Sequence, residues 1–525
     1  MNKVIATILL TLAVVPAKAV APGESPKLVV GITVDQLRSD YLYALQHLFG
    51  EKGFKKMLSN GVVYDKVLFD LPYMDKAVAT ATIYTGTIPF YNGIPAEIVF
   101  DAVSRKSRLL LTDAKYMGNA TDDTYSARAL RTSTLSDEVK IAGNGLGRVY
   151  AVAPDATTSI LAGGHIANCA FWIDDETGKW VTTTYYNDAP AYILQRNYTQ
   201  SLSSRIDTMK WMPLYDAGQY TAIPYYTQPY SFKHGFSRGD RTCYERFKTS
   251  ALVNREVTDV AIELIENGML GKRGYLDMVN IGYTAAPYNT GDIQQYGIEL
   301  QDTYVRLDRD LARLFDAIEK SVGLQNTVIF LTSTGYFTGD GRESSVFNIC
   351  SGEFYPKRAV SLLNMYLMAM YGSGEWVAGY HHNQIYLNRQ LIKERNLDLD
   401  TIRDKCASFL IDMEGVQDVY TLQRILLRST NEHTDALRRG LLPRYSGDLF
   451  IELVPGWEVV HEDAANTREY VRHNAVESPF MLMAPQAPAR KITTPVEVTA
   501  IAPTVARVLR IRSPNGCTAM PESVL

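Results

Sequence analysis

The chain has no excess of positive charge. In 525 residues, 53 Lys and Arg stand against 57 Asp and Glu, a formal net charge of −4. Without a basic face there is no electrostatic footprint for nucleic acid, so that class of partner is excluded. Cysteine is scarce as well: Cys169, Cys243, Cys350, Cys406 and Cys517 are widely spaced, with no CxxC pair and no metal-type cluster. One or two disulfides are compatible with an oxidising compartment, and the pairing stays open. A chain of this length buries enough core to fold without them. There is no internal repeat and no low-complexity tract. The one long apolar run, Val4 to Val15, follows Lys3 and precedes Ala17-Lys18-Ala19. That pattern predicts a signal peptide, residues 1–19, cleaved after Ala19. The run is shorter than the roughly 20 residues that span a bilayer. No Cys follows the cleavage site, so no lipid anchor is expected. Cleavage removes Lys3 and Lys18 and no acid, which takes the charge from −4 to −6. The mature protein is expected to be periplasmic or secreted, with no membrane anchor.

What is present is globular: 46% hydrophobic and 21% charged residues. Leu28 to Val34 is a continuous β-branched run of the kind buried on both faces of a parallel sheet, and Asp35 sits at its carboxyl end. Helical patterns follow at Tyr41 to Leu48 and Gly53 to Leu58. Further on, Thr134 to Ala142 reads as a helix and Arg148 to Ala153 as a strand, while Ile160 to Trp172 reads as a loop leading to another strand. Tyr185 to Tyr230 is Tyr- and Pro-rich and shows little periodicity. Ala251 to Ile265 is an amphipathic helix and Tyr275 to Ile281 a strand. Ile298 to Val322 is the longest helix, with Leu307, Leu311, Leu314, Phe315 and Ile318 on one face. Thr327 to Leu331, Asp448 to Val454 and Pro479 to Met483 are strands, and Thr499 to Leu509 is a closing helix. This alternation predicts an α/β fold with a mostly parallel sheet sandwiched by helices. The core is expected over 20–345 and 441–525, with an irregular Tyr-rich insertion at about 175–245 and a cap-like insertion over 346–440.

Several segments, in order, resemble the alkaline phosphatase superfamily, in its phosphate-irrepressible alkaline phosphatase branch (type I phosphodiesterase/nucleotide pyrophosphatase-like). They include Val30-Gly31-Ile32-Thr33-Val34-Asp35-Gln36-Leu37, Ile83-Tyr84-Thr85-Gly86-Thr87-Ile88-Pro89, Gly163-Gly164-His165-Ile166-Ala167-Asn168, Val328-Ile329-Phe330-Leu331-Thr332 and Pro514-Asn515-Gly516-Cys517. The resemblance implies an alkaline phosphatase-like fold. It also implies two Zn²⁺ ions at the strand ends, held by Asp and His, which activate a Thr or Ser nucleophile for in-line phosphoryl transfer.

Carried over position by position, the resemblance leaves little of that site. The first metal-binding Asp falls on Asp35 and matches. The nucleophile falls on Lys76, which has no hydroxyl, and the His four residues after it in the family pattern falls on Thr80. The phosphate contacts fall on Glu97, Asp155 and Thr157. The remaining metal ligands fall on Pro287, Gly291, Thr334, Gly335 and Arg468. Asp35 is thus a remnant, no metal cofactor is expected, and Glu97 and Asp155 place negative charge where a phosphate would sit. An Asp35–Lys76 ion pair is expected to put the amine roughly where a metal stood.

The expected function is that of an exported pseudophosphatase, a non-enzyme that acts by binding or scaffolding through the old cleft. Its partner would be a protein, a glycan or a small molecule. The alternative is a metal-dependent phosphomonoesterase or phosphodiesterase with a rebuilt site, drawing on His461, Asp463, His473, Asp340 or the His381-His382 pair. Adjacent histidines on a strand face oppositely and make poor joint ligands. His165 reads as structural. The abundant tyrosines, 33 in all, suit either recognition or the packing of the first insertion, with Tyr185, Tyr186, Tyr225, Tyr226 and Tyr230 clustered there.

Overall fold

The computed structural model describes residues 25–221, 230–288, 293–338, 351–427, 432–462, 467–471 and 476–524. Residues 1–24, and with them the expected signal peptide, lie outside the described residues.

The apolar run at the start forms the middle strand, Leu28–Asp35, buried along its length up to Asp35. It pairs in parallel with Asp277–Thr284 on one side and Thr327–Ser333 on the other. Val149–Val152 and Cys169–Ile173 continue the parallel set. The full sheet has ten strands, in the order Arg490–Ile492, Val62–Tyr64, Phe480–Met483, Thr327–Ser333, Leu28–Asp35, Asp277–Thr284, Val149–Val152, Cys169–Ile173, Trp180–Thr183 and Gly118–Asn119. Phe480–Met483, Trp180–Thr183 and Gly118–Asn119 pair antiparallel, so both margins of the sheet are mixed. Strands buried on both faces are apolar throughout, which is why the run Leu28 to Val34 shows no alternation. Each buried Val, Ile or Leu there contributes about 1.5–3 kcal/mol relative to exposure. Gly31 is required by a close approach: a Cβ there would lie 2.7 Å from the Phe330 ring and 2.8 Å from Asn280.

Two layers of helix cover the sheet. The longest helix, Ile293–Ser321, buries Leu307, Leu311, Leu314, Phe315 and Ile318, the stripe read from the sequence. It packs beside Leu252–Asn267. One expectation is corrected early in the chain. Ile160 does not open a loop; Ala156–Gly163 is a helix, N-capped by Asp155. Its Thr157-Thr158 and Gly163-Gly164 obscured the helical pattern, but the cap and the buried Ile160, Leu161 and Ala162 outweigh weak propensity.

The Tyr-rich insertion is more regular than its sequence suggests. Trp180–Thr183 joins the main sheet and Ala191–Thr199 is a helix. Several of its tyrosines pack inward, while Tyr198 is exposed. Tyr186 is buried and donates to the Gly164 carbonyl (3.1 Å), and Tyr230 donates to Glu299. Tyr225 and Tyr226 lie outside the described residues. The second insertion has its own four-stranded sheet, in the order Val377–His381, Gln384–Leu387, Leu449–Leu453 and Val416–Thr421. A separate apolar cluster, with Leu363, Trp376, Ile402, Cys406 and Ile451, fills it. This cap runs past the expected boundary at 440: Leu449–Leu453 lies inside its sheet, and the main sheet resumes at Phe480. Cys169, Cys243, Cys406 and Cys517, the four described cysteines, are all free. Among the described residues no helix is long and apolar enough to cross a membrane.

The first insertion is fastened to the longest helix by buried carboxylates, Glu299, which meets Tyr230 and His234, and above all Asp302. Asp302 is fully buried and accepts from Trp211 Nε1 (2.6 Å), the Leu214 N–H (2.8 Å), the Tyr220 hydroxyl (2.6 Å) and Arg306 Nε (2.6 Å). Asp302→Ala leaves four donors without their acceptor and is expected to cost about 3–5 kcal/mol, read as a shift in the urea unfolding midpoint.

Candidate functional site

The parallel strands end together, and the residues just beyond their carboxyl ends form the floor of a cleft between the sheet and the cap. Asp35 closes the middle strand. The next residue, Gln36, adopts φ 61°, a left-handed conformation uncommon outside glycine, and turns the chain sharply. Neighbouring contacts hold that turn. The Gln36 N–H donates to Thr334 Oγ1 (2.8 Å), while its side-chain carbonyl accepts from Thr338 N–H (2.8 Å) and hydroxyl (2.9 Å). Thr334 in turn donates to Asp35 Oδ1 (2.9 Å), and the Tyr336 hydroxyl also bonds to this carboxylate. Burial pushes the Asp35 carboxyl above the usual range, against the pull of Lys76 and these donors.

Two helices begin at this floor. Lys76–Thr85 is N-capped by Asp75, whose Oδ1 accepts from the Val78 N–H (2.8 Å) and whose Oδ2 accepts from the Glu97 N–H (2.7 Å). Ala156–Gly163 is capped by Asp155, which accepts from the Thr158 N–H (2.9 Å). Lys76 is the first residue of its helix and carries its amine to 3.9 Å from Asp155 Oδ2. The direct ion pair is therefore with Asp155, not with Asp35 as expected; Asp35 acts on the amine through space. Asp155, then Glu97, Asp35 and Asp75, hold the Lys76 amine above its usual value despite burial. Glu97 accepts from Thr157 Oγ1 (2.7 Å), and burial raises its carboxyl as well. The sequence-predicted group Asp35, Lys76, Glu97, Asp155, Thr157 and Thr334 thus converges.

The other candidates separate from it. Pro287 lines the cleft without a donor side chain, and Gly291 lies outside the described residues. Gly335 has φ 75°, and a Cβ at that position would run into the Phe69 ring, so the space is already filled by an aromatic side chain. Arg468 lies on the cap side of the cleft, in the strand Arg468–Tyr470, ion-paired with Glu353 and Glu458. Asp463, His473 and Asp340 lie outside the described residues. His165 is structural as read, bonding Asp137 Oδ2 through Nδ1 at 2.9 Å.

The histidine pair corrects an expectation. His381 and His382 do not face oppositely; their rings lie 3.9 Å apart. His381 ends a strand, and His382 starts the two-residue hairpin turn with φ 46°, followed by Asn383 at φ 56°. Such a turn interrupts the pleat alternation. His382 packs on Tyr73 (4.0 Å between centroids), and His381 Nε2 lies 3.0 Å from the Ile98 carbonyl, so the pair ties the cap to the floor. Burial pushes His382 down to about 3, which keeps it neutral. His461 is 3.4 Å from Glu469. Among the described residues no group of three or more His, Cys, Asp or Glu side chains is arranged to hold a metal ion. Asp75 and Tyr336 are the site residues that the sequence reading missed. Asp75 was legible as an Asp N-cap before a helical run, whereas nothing local marks Tyr336.

The Lys76 amine is raised by ionised carboxylates, so its stabilising share is complete from above the carboxylate range up to the usual lysine value, is lost as pH climbs through the higher folded value, and is also lost at acid pH where those carboxylates are neutral. Asp35, Glu97 and Asp75 lose their main counter-ion in Lys76→Met, and that penalty grows as pH rises through the carboxylate range. Lys76→Met is expected to match the wild type near pH 3. It should be less stable by about 2 kcal/mol from neutrality to pH 10, read from thermal melts across pH.

The relatives of the chain agree with this architecture. The family model for type I phosphodiesterase / nucleotide pyrophosphatase matches residues 29–476. Alkaline phosphatase PafA of Elizabethkingia meningoseptica is 28% identical over 522 residues, covering 94% of this chain and 94% of that protein. Alkaline phosphatase PhoV of Synechococcus elongatus is 27% identical, covering 94% of this chain and 91% of that protein. A Myroides odoratus protein named calcium-transporting ATPase is 28% identical, covering 95% and 94%. The crystal structure of wild-type PafA superposes with a TM-score of 0.84 at 27% identity, covering 95% of this chain and 98% of that one. With sheet, helical layers and family model in accord, the chain is a member of the type I phosphodiesterase / nucleotide pyrophosphatase family, within the alkaline phosphatase superfamily.

Proposed function

We propose that this chain is an exported member of its family that has lost bimetallic phosphoryl transfer and acts by binding a ligand in the cleft. One observation carries the reading: the chemistry of the groups at the strand ends does not fit two Zn²⁺ ions. Zinc takes Asp, His or Cys donors, about four per ion. Of the metal-ligand positions implied by the family resemblance, Asp35 alone offers such a donor. Its carboxylate already accepts from Thr334 and Tyr336 and faces an ammonium group. At Gly335 there is no room for a ligand side chain beside Phe69. Lys76, held protonated by four carboxylates, supplies neither a hydroxyl nor a free amine as nucleophile. Glu97 and Asp155 oppose a phosphate dianion. No metal cofactor is therefore invoked, and Lys76 supplies part of the positive charge at the floor. The partner classes that fit are a protein, a glycan or a small molecule.

A second reading is supported by the names of the relatives. PafA and PhoV are called alkaline phosphatases, and they match nearly the whole chain. On that reading the protein is a metal-dependent phosphoric ester hydrolase with a rebuilt site, and the histidines on the cap side of the cleft, His381, His382 and His461, are its nearest candidates.

Elemental analysis of the purified mature protein, with turnover of aryl phosphate mono- and diesters in added Zn²⁺, separates the two. The expected result is less than one tightly held metal per chain and no turnover above buffer, unchanged in Lys76→Thr. About two metals per chain with sustained turnover would establish the hydrolase.

A further inference from the structure

Behind the Lys76–Asp155 pair lies a second, smaller cavity of about 240 Å³, which shares Lys76, Ala96, Asp155 and Lys248 with the main cleft. Its walls are apolar and aromatic. Ile94, Leu110 and Leu111 are buried, and Trp172 is 2% exposed. Trp172 and Tyr125 meet there with centroids 6.1 Å apart and planes tilted by 48°, forming an aromatic corner. Four carboxylates, those of Glu97, Asp123, Asp155 and Asp175, open onto the same space.

The two cations of the chamber are already engaged. Lys76 pairs with Asp155 at 3.9 Å, and Lys248 with Asp175 at 2.7 Å. Asp123 is left with a neutral donor, and Glu97 with a neutral donor and a through-space share of the Lys76 charge. Glu97 accepts from Thr157 Oγ1 (2.7 Å) and Asp123 from Trp172 Nε1 (2.9 Å), and among the described residues neither has an ion-pair partner within 4.0 Å. The outer cleft has the same sign. Its volume is about 1760 Å³, carboxylates outnumber basic side chains more than two to one along its described lining, and Arg468 is itself neutralised by Glu353 and Glu458. An anion entering this path meets no uncommitted cation among the described residues. A cation meets net negative charge along the path, then Glu97, which shares the Lys76 charge with three other carboxylates, and Asp123, which has no ion-pair partner among the described residues, beside an indole and a phenol, the combination that favours a desolvated ammonium.

We propose that this inner chamber binds an organic ammonium group, a primary amine or its methylated form, whose body extends into the main cleft. The proposal rests on the non-catalytic reading above and names the ligand chemistry of the same site. Glu97 and Asp123 supply the charge, Trp172 and Tyr125 the aromatic faces, and Ile94, Leu110 and Leu111 exclude water. The family's phosphate-contact positions, Glu97, Asp155 and Thr157 in this chain, are on this view the entrance to a site of opposite charge preference.

The test is isothermal titration of the mature protein at low ionic strength with benzylamine, benzyltrimethylammonium, benzyl alcohol and phenyl phosphate. The ammonium probes are expected to bind at least about tenfold tighter than benzyl alcohol, the effect of one charge-assisted contact in a desolvated site. Glu97→Gln and Asp123→Asn should each weaken the amines about tenfold and leave benzyl alcohol unchanged. Leu110→Trp, which fills the chamber without altering charge, should abolish amine binding; it keeps the test decisive if the polar variants fail to melt cooperatively. Equal affinities for benzylamine and benzyl alcohol, or amine binding indifferent to Leu110→Trp, overturns the proposal. If the amines fail and phenyl phosphate is also left intact, the chamber assignment falls while the non-catalytic reading stands. Turnover of phenyl phosphate overturns the non-catalytic reading itself.

Discussion

Everything at the floor of the cleft depends on one charge, the Lys76 ammonium held among Asp155, Glu97, Asp35 and Asp75. Four carboxylates gathered where strands and helices end would repel one another and resist burial. A buried or half-buried carboxylate without a counter-ion protonates or draws in a cation. Lys76 is that cation, supplied by the chain itself. Its position follows from the backbone: it is the first residue of a helix whose cap, Asp75, is fixed by the Val78 and Glu97 N–H groups. The loop that places Glu97 and the helix that places Lys76 are therefore one unit, and Asp155 is delivered to it by the cap of a second helix.

On the proposed reading, that arrangement explains why the departures from the family pattern come together. Replacing a hydroxyl by an amine alone would set a cation beside metal ions. Replacing phosphate-contact residues by carboxylates alone would leave buried negative charge without compensation. Made together, the changes balance. Thr334 fits the same scheme: its hydroxyl satisfies Asp35 and receives the Gln36 N–H, which fixes the left-handed turn that ends the middle strand. Phe69 closes the space over Gly335. The floor is packed and hydrogen-bonded as a polar cluster, and among the described residues no group of three or more His, Cys, Asp or Glu is arranged to hold a metal ion.

The cap adds the second half of the cleft. Its attachment combines neutral contacts, the His382 ring on Tyr73 and His381 at the Ile98 carbonyl, with ion pairs of Arg439 to Asp70 and Arg105 to Glu375. Burial keeps His382 uncharged, so the contact behaves as an aromatic one. Arg468 faces the same cleft from the cap but spends its charge on Glu353 and Glu458. The result is a deep, aromatic, negatively biased space over a floor whose one lysine is fully committed.

The sequence by itself determined the sheet and its layers. Leu28 to Val34 is apolar throughout because both of its faces are covered, and the stripe Leu307, Leu311, Leu314, Phe315 and Ile318 repeats with the helix because one face is covered. Periodicity records such burial locally, so it can be read without coordinates. It also gave the residue types at the floor, since identity along a family pattern needs no distance. It missed the Ala156–Gly163 helix, whose threonines and glycines have weak propensity and whose stability comes from a cap and from packing. It placed the end of the cap too early, because Leu449–Leu453 pairs with strands distant in sequence. Only the tertiary structure decided which carboxylate Lys76 meets, that two neighbouring histidines bring their rings into tilted contact where a turn breaks the strand, and that an aromatic chamber lies behind the floor. These depend on Coulomb and van der Waals contacts between segments tens to hundreds of residues apart, and no local pattern encodes such distances.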